Sequence, residues 1–145
     1  MYDGPLCFSR DERTAYFTRT NNKDGIRKAG RNGVARNKIY ETKKDTLDPD
    51  WFAATELPIN NDNYDCVHPS LSPDGTKLFF ASDKLEDSKG GFDIYYVERK
   101  DKGNGVFTWG KPINLEAVNT ERNEIYPFIS HQGTLFFSSN GRENS

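Results

Sequence analysis

The sequence predicts an all-β fold built from four-stranded antiparallel sheets, and three observations carry that expectation. The first is a repeat. HPSLSPDGTKLFFASD at residues 68–83 recurs as YPFISHQGTLFFSSN at residues 126–140 and, more loosely, as GPLCFSRDERTAYFTRT at residues 4–20. Self-similarity at a fixed period marks one supersecondary unit stacked on copies of itself. The second is register. Trp51, Leu57, Asn61, Pro69 and Ser72 stand 58 residues before Trp109, Leu115, Asn119, Pro127 and Ser130 without a gap. The third is composition. Of 145 residues only 34% are hydrophobic and 29% are charged, yet 13% are aromatic. That is too much ring surface for a disordered chain, and it suits thin cores filled by large side chains.

Each repeat reads as four strands. In the first, residues 6–9 form a strand, 10–13 a turn and 14–18 the next strand. Residues 21–36 follow with three Gly, many basic residues and no apolar periodicity, which predicts a surface loop. Residues 38–42 make a third strand, and 51–57 carry a fourth. The second repeat begins with strands at 68–72 and 77–82. The turn between them is Ser72-Pro73-Asp74-Gly75, where Pro presets its own φ and Gly tolerates a positive φ. Leu78, Phe79, Phe80 and Ala81 are apolar in succession, so both faces of this strand are expected to be buried. A polar loop over 83–91, a third strand over 92–97, a turn over 101–105 and a fourth strand from 106 to 109 or 113 complete the unit. The differing spacing of the first repeat is confined to its loops.

Single antiparallel sheets that repeat and bury both faces stack around an axis in a β-propeller. A β-sandwich does not need a gapless repeat of Trp, Leu, Asn, Pro and Ser. The expected division is blade one at 1–60, blade two at 61–118 and the first half of blade three at 119–145. Closed propellers typically have about four to eight blades. The two and a half present here are therefore expected to be part of a larger propeller.

SPDGTKLFFASD followed by GGFDIY resembles the TolB-type, WD-like propeller repeat of bacterial envelope proteins. The first repeat, the Trp-x5-Leu spacing and the stretch Asn119-Thr120 to Asn123-Glu124-x-x-Pro127 resemble propellers in OmpA-family envelope proteins of the Bacteroidetes type. In that family the propeller lies between helical repeats and a peptidoglycan-binding domain, and some relatives serve type IX secretion and gliding. The resemblance spans the whole chain, with departures at Asp11-Glu12-Arg13, at His131-Gln132-Gly133 and at Cys66, which stands where the later copy has Glu124. It implies a periplasmic or outer-membrane-associated location. Its implied partners are other envelope proteins or the remainder of the same chain, and peptidoglycan only through a domain outside this segment.

The candidate chemistry is thin. The Asp box of sialidase-type propellers separates Asp and Gly by one residue. Asp74 and Gly75 are adjacent, so Asp74 is read as a cap for nearby backbone N–H groups. His68 and His131 occupy different repeat positions, and neither has a partner pattern for nucleophilic or acid–base work. Asp83, Glu86, Asp87 and Asp93 crowd one loop beside Gly90-Gly91, but they lack EF-hand spacing. Cys7 and Cys66 fit no metal spacing and read as packed thiols that align with Ser70 and Glu124.

Charge is unevenly spread, with eleven basic and four acidic residues between positions 10 and 44 in a chain of net charge −2. The basic loop at 23–36 can grip an anionic partner, but it carries no aromatic residue for stacking on nucleic acid. Trp51 and Trp109 are expected as core anchors between blades, and Asn61, Asn119 and Glu124 as satisfiers of backbone groups between blades. No catalytic, cofactor or metal residue is assigned, binding residues stay open, and neither nucleic acid nor membrane insertion is expected. The function expected is a non-catalytic protein-interaction scaffold in secretion or peptidoglycan-linked assembly. Two alternatives stand beside it. One is a gating or accessory domain of a peptidase or glycan-active enzyme, although no Gly-x-Ser-x-Gly nucleophile turn is present. The other is a glycan-binding module, which predicts solvent-exposed Trp or Tyr in the channel.

Overall fold

A computed structural model describes residues 3–20, 22–23, 26–27, 29–30, 33–45, 47, 50–83 and 86–142. It is all-β, with antiparallel pairing throughout and no helix among the described residues. The strands run β1 (Asp3–Phe8), β2 (Thr14–Thr20), β3 (Asn22–Lys23), β4 (Ile26–Arg27), β5 (Asn37–Lys43) and β6 (Thr55–Glu56). Then come β7 (Cys66–Leu71), β8 (Lys77–Ser82), β9 (Asp93–Gly103), β10 (Val106–Trp109), β11 (Ile113–Asn114), β12 (Glu124–Ile129) and β13 (Leu135–Ser139). Sheet one has the order β1-β2-β5-β6. Sheet two has β7-β8-β9, with β10 and β11 both on the far edge of β9. Sheet three is the β12–β13 hairpin.

The sheets stack through alternate faces of each strand. From β8, Leu78 and Phe80 join Tyr16, Ile39, Leu57 and Ile59 of the first repeat in one core. Phe79 and Ala81 join Ile125, Ile129, Leu135 and Phe137 in a second core on the opposite face. The run Leu78 to Ala81 is therefore apolar because sheet two is covered on both sides. Each fully buried side chain of this kind stabilises by roughly 1.5–3 kcal/mol relative to exposure.

The repeat holds down to single contacts. Phe17 stacks on Tyr40 at 6.0 Å and 22°, as Phe80 stacks on Tyr95 at 5.9 Å and 20°. Glu56 faces Tyr40 as Asn114 faces Tyr95. The fourth strand is interrupted in both sheets at the same place. Trp51 bridges Lys44 before β6, and β10 breaks at residues 110–112 before β11. In the first sheet it is thus shorter than the expected 51–57, whereas β9 runs past the expected 92–97 to make a long hairpin with β10.

The 21–36 segment is not wholly irregular, because β3 and β4 pair within it. Residues 21, 24, 25, 28, 31 and 32 lie outside the described residues, and so does most of the anionic-partner reading placed on this loop. Arg36 closes the segment with Nη1 3.2 Å from Asp65 and 3.7 Å from Asp83.

Candidate functional site

The turn after the first strand of each sheet is set by one serine. Ser72 N–H donates to Lys77 C=O (2.8 Å), its Oγ receives Lys77 N–H (2.9 Å), and its hydroxyl donates to Asp74 Oδ1 (2.7 Å). Asp74 Oδ1 also receives Thr76 N–H at 3.0 Å and its hydroxyl at 2.8 Å. The Ser72 hydroxyl first, then the Thr76 donors, lower the Asp74 pKa to about 2. Asp11 copies this in the first turn, taking Ser9 Oγ–H at 2.6 Å and Arg13 N–H at 3.1 Å. Glu12 there adopts the positive φ of 57° that Gly75 adopts at 71°. The third turn keeps the serine contact, Thr134 N–H to Ser130 Oγ at 3.1 Å, but is one residue shorter and has no carboxylate.

The strands leading into these turns are bulged at proline. Register slips between Asp3 and Leu6, between Val67 and Ser70, and between Ile125 and Phe128, around Pro5, Pro69 and Pro127. Proline has no N–H to give a ladder, and bulges re-aim side chains. His68 and Tyr126, each just before its proline, both stand at φ 56°, a conformation costly for a bulky side chain. Their rings consequently meet, with centroids 4.3 Å apart and planes 38° apart. His68 N–H reaches Thr18 Oγ1 of sheet one at 2.9 Å, and Ile129 N–H reaches Ser70 Oγ at 3.0 Å. Burial lowers the His68 pKa.

These three first strands converge on a groove of about 550 Å³. Leu6, Phe8, Tyr126 and Phe128 expose half or more of their surface there. Arg10 and His131, the residues after Ser9 and Ser130, stand at its turn end beside Pro73. Both histidines of the chain line this one groove. Its serine hydroxyls and its thiol are already engaged. Ser70 and Ser72 hold backbone as described, and burial pushes the Cys7 thiol up to about 11 against backbone contacts with Leu71 and Tyr16. Sequence reasoning took His68, His131 and the turn residues one at a time. It aligned His68, before Pro69, with Tyr126 of the next copy, but gave no sign that the two rings touch.

The other candidates serve the framework. Asn119 holds both backbone groups of Ile94, and in the first repeat Asn60, not Asn61, holds those of Ile39. The connection after Leu57 is one residue shorter, so the register slips there and is regained by Pro69. Asn61 instead caps Asn63 N–H at 2.8 Å. Glu124 is fully buried and takes Thr120 N–H, Thr120 Oγ–H and Ser139 Oγ–H at 2.9, 2.8 and 2.5 Å. Cys66 occupies the equivalent place in the second sheet, 3.8 Å from Ser82 Oγ.

Trp109 packs edge-on to Tyr16 at 6.1 Å between sheets one and two. Trp51 is 40% exposed beside Phe8, because no sheet among the described residues stacks on that face of sheet one and only the Lys44 ammonium lies over the ring, 5.8 Å from its centroid. Among the described residues, no group of three His, Cys, Asp or Glu side chains could share a metal ion. Asp83 takes Asp65 N–H, Asp87 takes Tyr95 O–H, and Asp93 takes Lys89 N–H. Compared with known proteins, the chain matches no family model and no curated protein sequence.

Proposed function

We propose that this chain is a segment of a β-propeller that works as a non-catalytic protein-interaction scaffold within a larger cell-envelope protein. The observation that carries the propeller reading is the equivalence of the Phe17–Tyr40 and Phe80–Tyr95 pairs. The second pair is buried because sheet one lies on it. The first sits on the outer face of sheet one under the Arg19 guanidinium, 4.9 and 5.5 Å from the two ring centroids, where the same relation calls for another sheet. Phe136 stands likewise on the outer face of the β12–β13 hairpin, 56% exposed, at the position of buried Phe79. An open stack that presents a complementary face at each end extends by further copies of its own unit.

The scaffold reading draws on the groove. Its serines and thiol are committed to backbone and turn contacts, while its apolar rings are open. The envelope location, a role in secretion or peptidoglycan-linked assembly, and envelope proteins as partners rest on the resemblance of the repeat. The test is the intact mass of the native protein purified from its source, with peptide mapping and a cross-linked pull-down. A longer chain with further repeats that captures other envelope proteins is the expected result. A native chain with no further repeats, or a captured hydrolase active site in the same chain, overturns the reading.

A further inference from the structure

The groove at β1, β7 and β12 has a recognisable preference. We propose that it receives an extended segment of a partner protein that presents aromatic or large apolar side chains next to carboxylates. This inference rests on the scaffold reading and names the partner chemistry of its groove.

Four observations point to that occupant. The three strands are edge strands, but their edges do not invite an added strand. Pro5, Pro69 and Pro127 supply no N–H, and the N–H groups of His68 and Ile129 already donate to Thr18 and Ser70. Recognition therefore falls to side chains. The volume, about 550 Å³, lies in the range of roughly 300–1,000 Å³ typical of ligand clefts. Its open surface at the junction of the strands is apolar and held in place: Tyr126 is exposed and is fixed by its strained backbone and the His68 ring.

Charge supplies the fourth. The chain has 22 acidic residues, yet none lines this groove, whereas the Arg10 guanidinium does. Asp11 and Asp74 stay ionised but are turned into their own turns, where they receive the hydroxyls of Ser9 and Ser72, and they line the neighbouring pocket that Arg10 also reaches. Within the lining itself a basic segment finds no counter-charge, and an acidic one finds Arg10. A saccharide is disfavoured by the same lining. It includes no Asp, Glu, Asn or Gln to take up sugar hydroxyls.

The test titrates the 15N-labelled chain with three probes: the peptides Ac-GFEFEG-NH2 and Ac-GFKFKG-NH2, and chitotetraose. The glutamate peptide is expected to shift the amides of Arg10, Tyr126, Phe128 and His131 in a saturable way. The lysine peptide should bind at least about tenfold more weakly. Arg10→Glu, a change in an exposed turn, should reverse that preference while leaving the rest of the spectrum in place. Equal binding of the two peptides, no binding of either, or groove shifts caused by the saccharide alone each overturn the inference. Binding that maps away from the groove also overturns it but leaves the scaffold reading standing, because that reading is decided by the native mass and the pull-down.

Discussion

Asn119 grips Ile94 by both ends of its side-chain amide. Oδ1 accepts the Ile94 N–H at 2.7 Å, and Nδ2 donates to the Ile94 C=O at 2.8 Å. Asn60 grips Ile39 in the same way at 2.9 and 2.7 Å. Ile94 and Ile39 are fully buried, so their backbone groups cannot turn to water instead. Asn119→Ala and Asn60→Ala should each cost about 2–3 kcal/mol in urea unfolding, the penalty for orphaning buried backbone groups. Asn61→Ala, which loses only a surface turn contact, should stay within about 0.5 kcal/mol. A larger loss at Asn61 than at Asn60 would restore the gapless 58-residue register.

The Asp74 turn gives a pH signature. The folded-state pKa is about 2, below the unfolded carboxylate value of about 3.9. The contribution is therefore fully present above the unfolded value and is lost as pH falls through the folded one. A carboxyl-carbon NMR titration should place the Asp74 midpoint near 2, and Ser72→Ala should move it upward because the Ser72 hydroxyl is the largest cause. An unmoved midpoint in that variant would assign the shift elsewhere.

Glu12 holds a left-handed φ of 57° where the second repeat has Gly75. An L side chain there costs roughly 1 kcal/mol, which glycine avoids. Glu12→Gly should raise stability by about 0.5–1 kcal/mol, less the entropy that glycine adds to the unfolded chain. A thermal melt that falls instead would mean that the Glu12 side chain contributes more than its backbone strain costs.

The two tryptophans share a repeat position and differ in surroundings. Trp109→Ala removes the ring that meets Tyr16 between two sheets and should cost about 3 kcal/mol. Trp51→Ala, on the open face of sheet one, should cost under about 1 kcal/mol. If further sheets do stack on that face, the gap between the two should close in any longer form that carries them, which denaturant titrations of both forms would reveal.

Much of the fold was legible because the repeat writes it three times. The paired strands at 14–18 and 38–42 and at 77–82 and 92–97, and the repeated strand-turn-strand within 126–140, follow from alternating and continuous apolar runs bounded by turn residues. Other features were hidden for identifiable reasons. Asp11-Glu12 does not look like Asp74-Gly75, yet the serine and carboxylate contacts are strong enough to impose the same turn on a non-glycine residue. Asn60 and Asn61 are adjacent and identical in kind, so only the length of the connection after Leu57 decides which one reaches Ile39.

The sequence by itself determined the antiparallel strands, their repeat and the apolar runs on both faces of β8, because local periodicity and turn chemistry act over a few residues. Tertiary structure alone decided what those elements meet. Leu78 faces one sheet and Phe79 the other because side chains alternate across a strand and sheets one and three lie on opposite sides of sheet two. It also decided that His68 and Tyr126, 58 residues apart, touch at 4.3 Å above a groove shared by three strands. Stacking sheets bring the same position of successive repeats side by side, and that proximity is a property of packing that no single stretch of sequence contains.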